Sequence, residues 1–220
     1  MQAWHSSTCF FTASAEVWRA MAKKSDNSFD GAFIQGMSAY IEARQSRYDQ
    51  IVIGSRMVIR HSAELITALH NSDYDKAEEI RLKLKDEAAR LMKDDSGFEY
   101  NAMQAYQEYS EAMLFWGVKK KGRLPDYKEI GVSIEPYLLG LMDLVGELRR
   151  EVTEALNGRD VRRAESYFEL IKKIYDYTRP VRVSDAILPG FRRKQDVARI
   201  QVENAGLEIL NYKTFSKLDK

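Results

Sequence analysis

Apolar residues recur along this chain at helical intervals and nowhere in strict alternation. Ile51, Val58 and Leu65 repeat every seven residues, and Met37, Tyr40, Tyr48 and Leu69 extend the stripe in both directions. Charged residues fill the other faces. The pattern predicts one long first helix over about residues 30–69, running through Gly31, Gly36 and Gly54. Asn71-Ser72-Asp73 then supplies a turn and a cap. A strongly charged helix follows over about 75–93 and ends at Asp94-Asp95-Ser96-Gly97.

A third helix, about 98–119, is rich in aromatic residues and methionine and is broken by the basic loop Lys119-Lys120-Lys121-Gly122-Arg123-Leu124-Pro125. Ser133 is placed to cap a fourth helix, with Pro136 in its first turn, where a missing N–H costs little. That helix ends near 156, before Asn157-Gly158. Another covers about 160–177, an irregular link lies between Arg179-Pro180 and Leu188-Pro189-Gly190, and a last helix covers about 191–210. The strand signature of alternation between regularly spaced turns is missing. The expected architecture is an all-α bundle of six to seven helices in one domain, residues 27–220. A first helix of that length runs about 60 Å at 1.5 Å per residue, beyond a compact domain of this size. Its ends then need cover from other subunits, so an oligomer is expected.

Composition narrows the function classes. The 220 residues are 45% hydrophobic and 30% charged, a globular balance with room for a sizeable core. Basic and acidic side chains number 34 and 33, so net charge points to no polyanionic partner, and nucleic-acid binding requires charges sorted onto one surface. The single cysteine, Cys9, excludes an internal disulfide and a cysteine-rich zinc site, which favours a reducing, cytoplasmic setting. No run approaches the ~18 apolar residues of a membrane span. The opening residues lack a basic start and match a signal peptide poorly. Residues 1–26 are read as a peripheral N-terminal extension, as an upstream start would produce, with Met21 or Met37 nearer the true start.

Two carboxylate pairs carry the candidate chemistry. Glu108 and Glu111 lie three apart in Gln107-Glu108-Tyr109-Ser110-Glu111-Ala112, and Asp143 and Glu147 four apart in Met142-Asp143-Leu144-Val145-Gly146-Glu147-Leu148. Both spacings put a pair on one helix face. Glu87 has Lys83 and Arg90 at helical offsets, but Glu108, Glu111 and Asp143 have no basic residue there. Like charges among apolar neighbours need a cation, protons or full solvation. A solvated face or an inter-subunit ion pair is the common fate of a single Glu-x-x-Glu. The missing bases and the second pair favour a divalent metal. Gly140 and Gly146 sit inside the same predicted helix, where each costs about 1 kcal/mol relative to alanine. Close helix packing or close approach of a substrate explains them equally well.

Other chemistry is thin. His61 and Glu64 run in the reverse of the Glu-x-x-His order of carboxylate-bridged di-iron bundles. His70 falls at a helix end, where a capping role is expected. Phosphate loops, nucleophile elbows and CxxC pairs are missing from the sequence. Basic residues cluster at Arg56 with Arg60, at Lys119 to Lys121 with Arg123, at Arg149 with Arg150, at Arg162 with Arg163, and at Arg192, Arg193 and Lys194. Solvated helix faces account for most such clusters.

Four stretches together resemble the translin family: Ala43-Arg44-Gln45-Ser46-Arg47-Tyr48-Asp49-Gln50-Ile51-Val52 with Ser55-Arg56, the Gln107–Ala112 motif, Tyr137-Leu138-Leu139-Gly140 continuing into the Asp143–Glu147 segment, and Val202-Glu203-Asn204-Ala205. The resemblance spans roughly residues 30–210, and the acid set is that of the family's catalytic-type branch. It implies a helical subunit that assembles into a closed, barrel-shaped oligomer, an octamer by family precedent, with RNA handled inside. It also implies a Mg²⁺-dependent endoribonuclease, Mn²⁺ being a possible substitute, whose acids correspond to Glu108, Glu111 and Asp143, with Glu147 as a further metal-ligand candidate. Arg56, Arg60, Arg192, Arg193 and Lys194 are the candidate RNA contacts. One chain gives no sign of a second subunit type, so a homo-oligomer without membrane attachment is expected. The alternative is a non-catalytic oligomer that binds single-stranded RNA or DNA and uses the acids structurally. A helical scaffold that binds only protein is a third reading.

Overall fold

The computed structural model describes residues 31–218, so the expected extension, 1–26, lies outside the described residues. Within them the regular structure is all helical, as α1 (Gly31–His70), α2 (Tyr74–Asp94), α3 (Glu99–Lys121), α4 (Tyr127–Ile130), α5 (Ile134–Asn157), α6 (Val161–Thr178) and α7 (Phe191–Leu218). No described helix is long and apolar enough to cross a membrane. The chain divides into two compact units, Met1–Ser46 and Arg47–Lys220. The described part of the first is the opening stretch of α1, where every residue is exposed and Ser38 Oγ donates to Glu42 at 2.8 Å.

In the second unit the heptad does what its spacing predicts: Ile51, Val58, Leu65 and Leu69 are all buried. Met37, Tyr40 and Tyr48, which the pattern places on the same stripe, are 43%, 64% and 38% exposed. The reason for Tyr48 is length. The returning helix α2 has 21 residues against 40 in α1, and it ends level with Arg47, whose guanidinium donates to the carbonyls of Asp94 (3.4 Å) and Ser96 (3.0 Å). Side chains link α1 to its neighbours: His61 Nδ1 meets Glu87 on α2 at 2.6 Å, so His61 pairs across helices and not with Glu64. Glu64 lies 3.7 Å from Arg60 instead.

The turns follow local chemistry. Asp73 caps α2 by accepting from Lys76 N, and Asp160 caps α6 by accepting from Arg163 N. Ser133 stands at the N-cap of α5 but makes no side-chain cap bond. The one-turn α4 was not expected from periodicity, which a single turn cannot show; Asp126 sets it by accepting from the amides of Lys128 and Glu129. α7 also continues past 210, to Leu218.

α3 and α5 form the centre. On α3, Tyr109, Ser110, Glu111, Ala112, Met113, Leu114 and Phe115 are all buried in sequence, as happens in a helix covered on every side. Leu144, Val145, Leu148 and Val152 of α5 are fully buried beside them, with Ile171 of α6 and Phe191 of α7.

Candidate metal and nucleic-acid site

Gly140 brings the two acid pairs together. A Cβ on Gly140 would lie 2.7 Å from the Gln107 carbonyl oxygen, 2.8 Å from the Glu111 amide nitrogen and 2.8 Å from Ser110 Cβ. Only a glycine lets the α5 backbone come this close to α3, and the contact falls one turn before Asp143. Gly146 has nothing within 4 Å of such a Cβ. Of the two glycines, then, one serves helix packing and the other opens onto a cleft.

That cleft, ≈ 330 Å³, is lined by Glu108 and Glu111 with Gln107 from α3, by Asp143 and Gly146 from α5, and by Lys194 and Gln201 from α7. Asp143 is engaged at both oxygens: Oδ2 accepts from Gln107 Nε2 at 2.7 Å, and Oδ1 takes the Lys194 ammonium. Glu111 is 8% exposed and its carboxylate has no hydrogen-bond partner among the described residues. Burial pushes its pKa up, and the charges of Asp143, Glu108 and Glu147 push it further, to about 9, against the opposing charge of Lys194. Glu108 is raised by the same two causes, burial first and Asp143 second.

Glu147 belongs to a second, adjoining cluster. His70 is not a helix cap: its Nε2 meets Glu147 and its Nδ1 meets Glu151 at 2.9 Å. Two carboxylates, one on each ring nitrogen, require both nitrogens to donate, which is the imidazolium form. Burial opposes that charge, but the bonds to Glu147 and Glu151 outweigh it and raise the pKa of His70. Glu151, 2% exposed, also accepts from Lys119 Nζ (2.7 Å) and Arg163 Nη2 (2.9 Å). Burial alone would raise its pKa; the bonds from His70 and Lys119 instead bring it down to about 2. This cluster escaped the sequence reading because His70 lies 81 residues from Glu151. Asp143, Glu147 and Glu151 do form a stripe at intervals of four, and that was the signal available.

The oxygen donors of Glu108, Glu111 and Asp143 suit a hard divalent cation, and an unpartnered buried carboxylate facing a cleft is what such an ion would satisfy. As folded, however, no group of three His, Cys, Asp or Glu side chains among the described residues converges at metal-ligand spacing. Asp143 is held by Lys194, and Glu147 by His70. Of the basic candidates, Lys194 lines the cleft, whereas Arg56, Arg60, Arg192 and Arg193 are exposed and do not. Lys194 therefore departs from the surface cluster in which the sequence placed it.

A family model for the Translin family matches residues 46–210. The chain belongs to the Translin family. The matched span includes both acid pairs, Lys194 and the His70 cluster, and it leaves out residues 1–26. An uncharacterized protein of Methanocaldococcus jannaschii, MJ0175, is 31% identical over 179 residues, 79% of each chain. Among solved structures, apo-NeC3PO is similar with a TM-score of 0.77 at 21% identity, covering 85% of this chain and all of that one. AfC3PO in complex with duplex RNA has a TM-score of 0.73 at 24% identity, covering 85% of this chain and 99% of that one. The translin-type helical fold is thus established for this chain by both sequence and shape.

Proposed function

We propose that this translin-family chain is the catalytic type of subunit, a Mg²⁺-dependent endoribonuclease that works within a homo-oligomer. The observation that carries this reading is Glu111: a buried carboxylate without a hydrogen bond among the described residues, flanked by Glu108 and Asp143 and opening onto a cleft. A purely structural acid at that depth is normally paired, as Glu151 is. That AfC3PO was solved with duplex RNA supports RNA as the ligand class.

Glu108, Glu111 and Asp143 would hold the ion, Mg²⁺ or Mn²⁺ in its place, with Glu147 beside them. Once bound, such an ion supplies Lewis-acid activation of a phosphodiester and of the water that attacks it. The chain's own contributions are distinct. Burial of Glu111 strengthens every charge interaction in the cleft. Gln107 fixes the orientation of Asp143, and His70 fixes that of Glu147. Gly146 leaves room on the α5 side of the cleft. Attack by water that expels the 3′-oxygen leaves a 5′-phosphate and a 3′-hydroxyl, whereas attack by the ribose 2′-hydroxyl expels the 5′-oxygen and leaves a cyclic phosphate.

The test uses end-labelled short RNA incubated with Mg²⁺ or EDTA, with wild type and Glu111→Gln in parallel. Cleavage by wild type alone, dependent on Mg²⁺ and yielding 3′-hydroxyl ends, is expected. Cyclic-phosphate ends or undiminished activity in EDTA would overturn the mechanism. The salt bridge of Lys194 to Asp143 favours a second reading, in which the acids are internally compensated and the oligomer binds RNA or single-stranded DNA without cutting it. Retained binding with no cleavage by either protein selects that reading.

A further inference from the structure

Lys194 is held where it can reach the acids. Its neighbours in the helix, Phe191 and Gln195, are both buried, at 1% and 9% exposure. Gln195 Nε2 donates to the carbonyls of Thr178 (2.7 Å) and Val181 (3.2 Å), tying the first turns of α7 to the preceding link. The Lys194 amide closes the first turn on the Gly190 carbonyl at 3.0 Å. The backbone is therefore fixed, while the four-carbon stem above it is flexible and delivers a compact point charge. That charge rests on Asp143, and the side chains of the two are only 27% and 23% exposed. It also works against the upward push on Glu108 and Glu111. In its absence the cleft would hold several carboxylates and no cation within contact of Asp143.

We propose that Lys194 is the internal counter-ion of the acid cleft: its ammonium occupies Asp143 in the metal-free protein, and a divalent cation binds by displacing it. The inference rests on the reading of the cleft as a divalent-cation site. Three consequences follow from charge and tether. The metal-free cleft stays compensated, so the fold tolerates its acids without an ion. A monovalent ion carries no more charge than the tethered ammonium and gains little by replacing it, whereas a divalent ion does. Withdrawal of the flexible stem frees Asp143 without movement of α7, so exchange requires no opening of the bundle. Lys194 thereby sets the selectivity and affinity of the site, as a positioning residue acting through Asp143.

The experiment titrates the full-length protein with Mn²⁺, following free ion by electron paramagnetic resonance, for wild type, Lys194→Met, Lys194→Arg and Lys172→Met. Lys172 is exposed on α6 and controls for the loss of one positive charge at a distance. Lys194→Met is expected to bind Mn²⁺ about tenfold more tightly than wild type, the scale of removing one contacting like charge from the ion's site. Lys194→Arg and Lys172→Met should stay near wild type. Binding by wild type with no tightening in Lys194→Met overturns the counter-ion role while leaving the cation site intact. Failure of both proteins to bind at millimolar Mn²⁺ overturns the cation site and the counter-ion role with it. Thermal melts establish that each variant is folded, and Lys194→Gln replaces Lys194→Met if the latter is not.

Discussion

At the scale of single residues, two buried glutamates one helix apart illustrate opposite solutions to the same cost. Glu151 is surrounded by donors from three helices, which hold its pKa down; Glu111 has no donor among the described residues, and burial pushes its pKa up to about 9. The signs of their pH effects are opposite as well. Glu151 is depressed from 4.5 to about 2, so its contribution is complete above 4.5 and is lost as the pH falls from there towards 2. His70 is raised, so its contribution is complete below 6.5 and declines at higher pH. Glu111 is raised from 4.5 to about 9, and metal-free stability should fall across that range as the unfolded chain gives up its proton first. Glu111→Gln should therefore raise metal-free stability by about 1–3 kcal/mol at pH 7, read from chemical denaturation in EDTA, while removing RNA cleavage. His70→Ala leaves two carboxylates without their shared donor and should cost about 3–5 kcal/mol, the scale of breaking a buried ion pair from one side. A stable His70→Ala protein would show that Lys119 and Arg163 suffice for Glu151.

At the scale of elements, the crossing of α3 and α5 makes the site, and glycine makes the crossing. Gly140→Ala should destabilise by about 1–3 kcal/mol, since the new methyl meets backbone at Gln107 and Glu111 that cannot yield. Gly146→Ala meets nothing and replaces glycine within a helix, so it should stabilise by about 0.5–1 kcal/mol. Urea denaturation of the two variants side by side tests the assignment of one glycine to packing and the other to the cleft. The existence of the long helices was legible, because long amphipathic repeats and Asp caps at 73 and 160 are local signals. The one-turn α4 and the far end of α7 were not. Neither the role of Gly140 nor the pairing of His61 with Glu87 could be read locally, since each depends on which helix lies opposite.

At the scale of the whole molecule, α1 presents Ile34, Met37, Tyr40 and Ile41 as exposed apolar residues on its opening turns. A contiguous apolar stripe of this kind marks an interaction surface, and the proposed homo-oligomer supplies its cover. Met37→Glu combined with Ile41→Glu should lower the particle mass measured by multi-angle light scattering toward the 25.4 kDa of one chain. An unchanged mass would place the subunit contacts elsewhere.

The sequence alone determined the helical class, the order of the long helices and which acids lack a basic residue at helical offsets. Hydrophobic period, caps and missing local bases are all properties of residues within a few positions of one another. The tertiary structure decided which acids share a cleft and what neutralises each. Asp143 meets Lys194 from α7, Glu147 meets His70 from α1, and the Glu111 carboxylate, set among the charges of Asp143, Glu108 and Glu147, has no hydrogen-bond partner among the described residues. Charge compensation in a bundle is settled between helices distant in sequence, where no periodic signal reaches.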